Sequence, residues 1–293
     1  MKNAKKRAPE LQKKRRIAAF LTGAFLALGG CSSAPKRPAE TFVVRNTAET
    51  QLELANQAAD QGNYEEALKT LEEVLRLAAS VDDPRLRIRE GLSRGNFLYA
   101  LGRTSEAGSV WTAALAEAEA AKELELAASV RIYIARSRLQ SGSSPETIRD
   151  EVQREVAAMK TEKLSIAFGW IVIGLAERSL GRWKEGEAAI KRALTYHEKN
   201  NYLEKAGEDW YLIASIRSLS EEFEAAQEAL RNALTFDRRA ENGYGVAMDW
   251  RAIGDVYKKS GNWTEAQAAY RRSAEIFRAL FLDAEAEAVE ARM

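Results

Sequence analysis

The sequence contains one cysteine, Cys31, and one histidine, His197, among 293 residues. A single thiol cannot close an internal disulfide, so packing alone must hold the chain together. The same scarcity excludes a Cys/His zinc cluster and leaves almost no material for a nucleophile–base pair. No glycine-rich phosphate loop is present, and no G-x-G-x-x-G opens a helix. We therefore nominate no catalytic residue, cofactor or metal ligand. His197 lies in Tyr196-His197-Glu198-Lys199, near an expected helix end, and reads as a surface histidine favoured by the helix dipole. Proline is scarce, at five residues. Ala, Glu, Leu and Arg dominate, which favours helix over strand.

The formal net charge of +1 hides an asymmetry. Residues 1–30 hold eight basic residues and one acid, leaving 36 basic and 42 acidic residues in the rest, a net charge of −6. A mildly acidic body is a poor electrostatic match to nucleic acid.

The basic run ends at Arg16, and an apolar stretch of 14 residues, Ile17 to Gly30, follows. Spanning a bilayer takes about 20. A basic flank, a short apolar core and small residues before a break make a secretory signal. The break, Leu28-Gly29-Gly30-Cys31, resembles the lipobox of bacterial lipoproteins. That resemblance implies cleavage between Gly30 and Cys31, with acyl chains on Cys31 as the membrane anchor. Ser32 in place of an aspartate favours the outer membrane, facing the periplasm; the outer leaflet of the cytoplasmic membrane is the alternative. Ser32 to Glu40 holds two prolines and little to bury, and reads as an extended tether. The expected division is therefore signal peptide 1–30, anchored cysteine and tether 31–44, and folded body 45–293.

The body repeats. Turns begin at Gly62, Gly102, Gly142, Gly181, Glu221 and Gly261, in steps of 40, 40, 39, 40 and 40. A fixed period of this size means stacked supersecondary units. A glutamate sits four residues into five of these turns (Glu66, Glu106, Glu146, Glu185, Glu265), where it is expected to cap the next helix. Seven residues before each turn the side chain is always small: Ala55, Gly95, Ala135, Gly174, Ala214 and Gly254. A mid-helix glycine costs about 1 kcal/mol against alanine, so these positions predict close helix contacts. Tyr64, Trp183, Phe223 and Trp263 are expected to wedge between helices at the turns. The third unit breaks the pattern with Thr147 and Arg154, and is expected to carry a shifted or irregular second helix.

Trp250-x2-Ile253-Gly254-x2-Tyr257 followed by Ala266-x3-Tyr270 resembles the tetratricopeptide repeat. Trp170-x2-Ile173-Gly174 and Trp210-x2-Ile213-Ala214 keep part of it. The resemblance spans roughly residues 45–281 and is looser in the first three units. It implies an all-α, right-handed α-solenoid of about six helix-turn-helix repeats, with the segment after Leu282 as a polar cap. The three tryptophans then read as packing residues.

By the same resemblance the first helix of each pair lines a concave face that binds protein. Its exposed positions map to Arg89, Asn96, Tyr99, Arg136, Leu139, Arg178, Tyr211, Ser215, Arg251, Asp255 and Lys258. Asn56 and Asn96 match the asparagine of the family's carboxylate clamp, but Leu52 and Leu92 replace its lysine, so capture of a C-terminal peptide is not expected. The expected function is a membrane-anchored adaptor or assembly factor for an envelope complex, such as secretion, pilus or cell-wall machinery. The alternative is a solenoid-based small-ligand receptor or enzyme, which a deep pocket with convergent ionisable groups would favour.

Overall fold

A computed structural model describes residues 42–293. The expected signal peptide, its cleavage site and Cys31 lie outside the described residues. Thirteen helices and no strand are found among the described residues. Unit one pairs α1 (Val43–Asp60) with α2 (Tyr64–Ser80), and unit two pairs α3 (Pro84–Ala100) with α4 (Thr104–Ala120). Units three and four are α5 (Leu124–Gln140) with α6 (Pro145–Ala158), and α7 (Lys163–Ser179) with α8 (Trp183–Lys199). Units five and six are α9 (Leu203–Leu219) with α10 (Phe223–Arg239), and α11 (Gly243–Lys259) with α12 (Trp263–Ala279). The short α13 (Asp283–Glu290) closes the stack by burying Ala286 and Val289. Among the described residues no helix is long and apolar enough to cross a membrane.

Each helix packs on its sequence neighbours, as a solenoid requires. The turns follow the expected chemistry: Gly261 sits at φ 83° in the left-handed region that ends a helix. Glu221 takes the same region at φ 64° without glycine's freedom. The expected glutamate caps are not formed. Glu106 instead accepts from the Arg103 guanidinium at 2.7 Å, and Glu66 pairs with Lys69. Side-chain caps come from Asp83, Ser144 and Asn242, each accepting from the backbone N–H three residues on. A residue at the cap position lies closer to the free amides than one a turn inside the helix.

The small residues seven before the turn are buried against the partner helix. A Cβ on Gly95 would stand 2.2 Å from Trp111 Nε1, one on Gly174 2.5 Å from Ile190 Cδ1, and one on Gly254 2.5 Å from the Tyr270 ring. Unit by unit, glycine faces Trp, Ile or Tyr, while Ala55 and Ala214 share their clusters with Leu71 and Leu230. In each pair a small residue makes room for a larger one, as close packing demands.

Unit three is irregular, as its sequence indicates. Its α6 has 14 residues against 17 in the other second helices, and buries Ile148, Val152 and Val156 at four-residue spacing. The link that follows is pinned by Glu125. Its carboxylate accepts the backbone N–H groups of Lys160 (3.0 Å), Thr161 (2.8 Å) and Glu162 (3.1 Å), and the Thr161 hydroxyl. The Thr161 hydroxyl and these backbone amides hold the Glu125 carboxyl at about 2.

Two further sequence expectations need correction. His197 is buried, with 2% of its surface exposed, because it ends α8 on the side that meets α9. Its Nδ1 lies 2.6 Å from Asp209 Oδ2. Trp263 is 55% exposed rather than wedged, and Lys258 Nζ sits 5.4 Å from its ring centroid. Tyr64, Trp183 and Phe223 do pack against the core, half-buried. So do Trp170, Trp210 and Trp250.

Candidate protein-binding groove

The inner wall is built by the first helices α1, α3, α5, α7, α9 and α11. Backbones of consecutive first helices touch at α1/α3, α3/α5, α5/α7 and α9/α11, but α7 and α9 stand farther apart. Arg178 bridges that wider gap, its Nη1 donating to Ser215 Oγ at 3.1 Å, beside Tyr211. Burial pulls the Arg178 pKa down, and the phenol of Tyr211 opposes this only in part.

The wall also curls back on itself. Lys205 Nζ, at the start of α9, lies 3.8 Å from Asp60 Oδ1, at the end of α1. Unit one thus meets unit five. The Tyr64 pKa is raised, chiefly by burial and then by Glu208, Asp60 and Tyr244. Burial would lower Lys205, but Glu208, Asp60, Tyr133 and Glu204 outweigh it and raise its pKa. This part of the wall carries more acid than base, with Asp60, Glu204 and Glu208 around the single Lys205.

Some of the residues nominated from the sequence are linked to one another and others are not. Arg89 is neutralised by Glu49 of the preceding first helix. Tyr99 lies under the Arg136 guanidinium at 5.6 Å, and Arg136 also reaches the Phe168 ring at 6.0 Å. Asn96 is within hydrogen-bonding reach of Tyr133, yet its Oδ1 is buried with no donor. Leu139 is half-buried against the cluster of Ile132, Ile148 and Val172. Arg251 has its Nε buried with no acceptor. Asp255 and Lys258 are used by the C-terminal cap: Arg292 donates to Asp255 at 3.0 Å and its carbonyl accepts from Lys258 at 2.8 Å. Tyr270 also donates to Asp255, at 2.8 Å.

Sequence spacing did not reveal the contributions of Phe168, Tyr133 and Lys205. Phe168 and Tyr133 stack with centroids 4.1 Å apart, on adjacent first helices. The pentapeptide Gly91-Leu92-Ser93-Arg94-Gly95 has the spacing of a nucleophile elbow, but it lies inside α3. Ser93 there donates to Asn56 Oδ1 at 3.0 Å, and both glycines serve helix packing against Ala114 and Trp111. It lacks the strand-to-helix turn that the elbow requires.

Two family models described as tetratricopeptide repeat match the chain, at residues 208–279 and 48–80. No curated protein sequence matches. Among solved structures, BtubC from P. vanneervenii is similar at 16% identity and TM-score 0.56, covering 80% of this chain and 92% of that one. PilW, described as a widely conserved type IV pilus biogenesis factor, is similar at 15% identity and TM-score 0.54, covering 83% and 98%. A Rap protein complexed with Competence and Sporulation Factor is similar at 16% identity and TM-score 0.59, covering 84% and 73%. At these identities the likeness concerns the fold. The chain is an all-α solenoid carrying tetratricopeptide repeats, a fold that presents surfaces to protein partners.

Proposed function

We propose that the protein is a lipid-anchored adaptor or assembly factor that faces the periplasm and holds a segment of an envelope protein along the inner wall of its solenoid. The observation that carries this reading is the inner wall itself. Arg136, Arg178, Tyr211 and Arg251 line it from successive repeats, and none of these arginines is neutralised by a carboxylate among the described residues. Binding surfaces are enriched in such arginines and tyrosines.

The anchor reading rests on Leu28-Gly29-Gly30-Cys31, and the outer-membrane assignment on Ser32. Anchoring would confine the solenoid to the membrane surface and raise the local concentration of its binding groove. PilW, a type IV pilus biogenesis factor of similar fold, makes pilus machinery one reasonable client, beside secretion and cell-wall complexes.

Two measurements test this. Cys31→Ser is expected to move the protein from the membrane to the soluble fraction and to abolish acyl labelling. Unchanged membrane association, with no acyl label in the native chain, would defeat the anchor. A photo-crosslinker placed at Tyr211 in cells is expected to trap one envelope protein reproducibly. Recovery of a metabolite and no protein would favour the receptor or enzyme alternative.

A further inference from the structure

Elsewhere in the fold, half-buried arginines are matched. Arg87 pairs with Glu117 and Asp82, Arg94 with Glu90, Arg131 with Glu119 and Glu155, Arg149 with Glu177, and Arg217 with Glu187. This is the expected economy, since removing a guanidinium from water without a counter-charge is costly.

Three inner-wall arginines depart from it. Arg136 lies against the Tyr99 and Phe168 rings and pairs with no carboxylate among the described residues. Arg178 makes one hydrogen bond, to Ser215, and its pKa is pulled down by burial. Arg251 leaves a buried Nε without an acceptor. All three stand on first helices, and Arg178 spans the place where α7 and α9 separate. A guanidinium offers five N–H donors in a planar fork that matches a carboxylate. Here most of those donors have no acceptor within the fold. The inner-wall acids do not supply one: Asp60, Glu204 and Glu208 gather around Lys205, and Asp255 is taken by Tyr270 and Arg292.

From this imbalance we infer that the inner wall takes an extended peptide bearing acidic side chains, whose carboxylates pair with Arg136, Arg178 and Arg251 while its apolar side chains lie on Tyr99, Phe168 and Tyr211. The inference rests on the adaptor reading and adds the chemistry of the client. The repeats set the rings and the guanidinium groups at intervals along successive helices, which suits a segment mixing acidic and apolar residues. It does not suit a simple polyanion, because the wall also carries the acidic cluster around Lys205.

The test is fluorescence anisotropy of the full chain with three labelled 12-residue peptides of Leu, Ser and one variable residue: Glu, Gln or Lys. The Glu peptide is expected to bind, to weaken as salt rises, and to outcompete the other two. The double variant Arg178→Ala, Arg251→Ala is expected to bind it at least about tenfold more weakly, since each charge-assisted pair contributes on that order. Arg178→Lys with Arg251→Lys keeps the charge, loses the fork and should fall between. Arg136→Gln alone should weaken binding with an unchanged melting curve, which guards against a folding artefact. Equal binding of the Glu and Lys peptides, no binding of the Glu peptide, or an unaffected double variant would each overturn the inference. So would a single-stranded oligonucleotide that binds as tightly as the Glu peptide. If these results fail while the Tyr211 crosslink still traps a protein, the adaptor reading survives and only the client chemistry falls.

Discussion

His197 and Asp209 form a buried pair in the seam between α8 and α9, Nδ1 to Oδ2 at 2.6 Å, and the same two positions recur one repeat later as Asp237 and Asp249. A further repeat on, they are Phe277 and Val289, also buried. One structural position is therefore filled by a His–Asp pair, an acid pair and an apolar pair in succession. Burial pushes the Asp209 carboxyl up to about 6, against the lowering effect of His197.

Removing one member of the first pair should cost more than removing both. His197→Ala leaves a buried carboxylate without its partner, and is expected to lower stability by about 3–5 kcal/mol. The double variant His197→Phe, Asp209→Val copies the last seam, and is expected to recover most of that loss. Urea denaturation of the three proteins measures both effects.

The acid pair predicts a pH dependence. Burial, then the Asp237 charge, pushes Asp249 well above its ordinary value of 3.8, and burial raises Asp237 as well. Because the folded state favours a shared proton, its stabilising contribution is full below about pH 3.8 and declines as pH rises through and beyond neutrality. Asp249→Asn keeps a donor to Asp237 and has no proton to lose. Its melting temperature is expected to fall less between pH 5 and 9 than that of the unaltered chain.

Glu125 predicts the opposite sign. Its folded pKa of about 2 lies below the ordinary 4.5. Its contribution is therefore present above 4.5 and is lost as pH falls toward 2. Glu125→Gln should leave the solenoid folded at neutral pH but speed hydrogen exchange at the amides of residues 160–162 severalfold. An unchanged exchange rate would mean that the link is held by other contacts.

Two helical glycines separate propensity from packing. Gly108 has nothing within 4 Å of where a Cβ would stand, so Gly108→Ala should stabilise α4 by about 0.5–1 kcal/mol. At Gly95 the Cβ would meet the Trp111 indole at 2.2 Å. Gly95→Ala should destabilise by about 1–3 kcal/mol despite its better propensity, through overpacking. Thermal melts of both single variants decide the signs.

Much of this protein is set by its sequence alone. The 40-residue step of the turns dictates stacked helix pairs, because the turn chemistry and the small positions repeat in register. The glycines at 95, 174 and 254 already mark where helices must touch. Thr147 and Arg154 flag the irregular α6. The candidate wall residues come from the resemblance, which assigns the first helix of each pair to one face.

Tertiary structure decided the rest, for reasons that involve contacts between distant residues. His197 reads as a surface residue from its place near a helix end, yet packing against α9 buries it opposite Asp209, twelve residues away. Trp263 looked like a wedge but stays in solvent beside Lys258. The meeting of Asp60 with Lys205 depends on the small rotation added at every repeat, which no local pattern encodes. Which arginines find carboxylates is likewise a property of the stacked whole: Arg217 meets Glu187 across a seam, while Arg178 and Arg251, on first helices, meet none among the described residues.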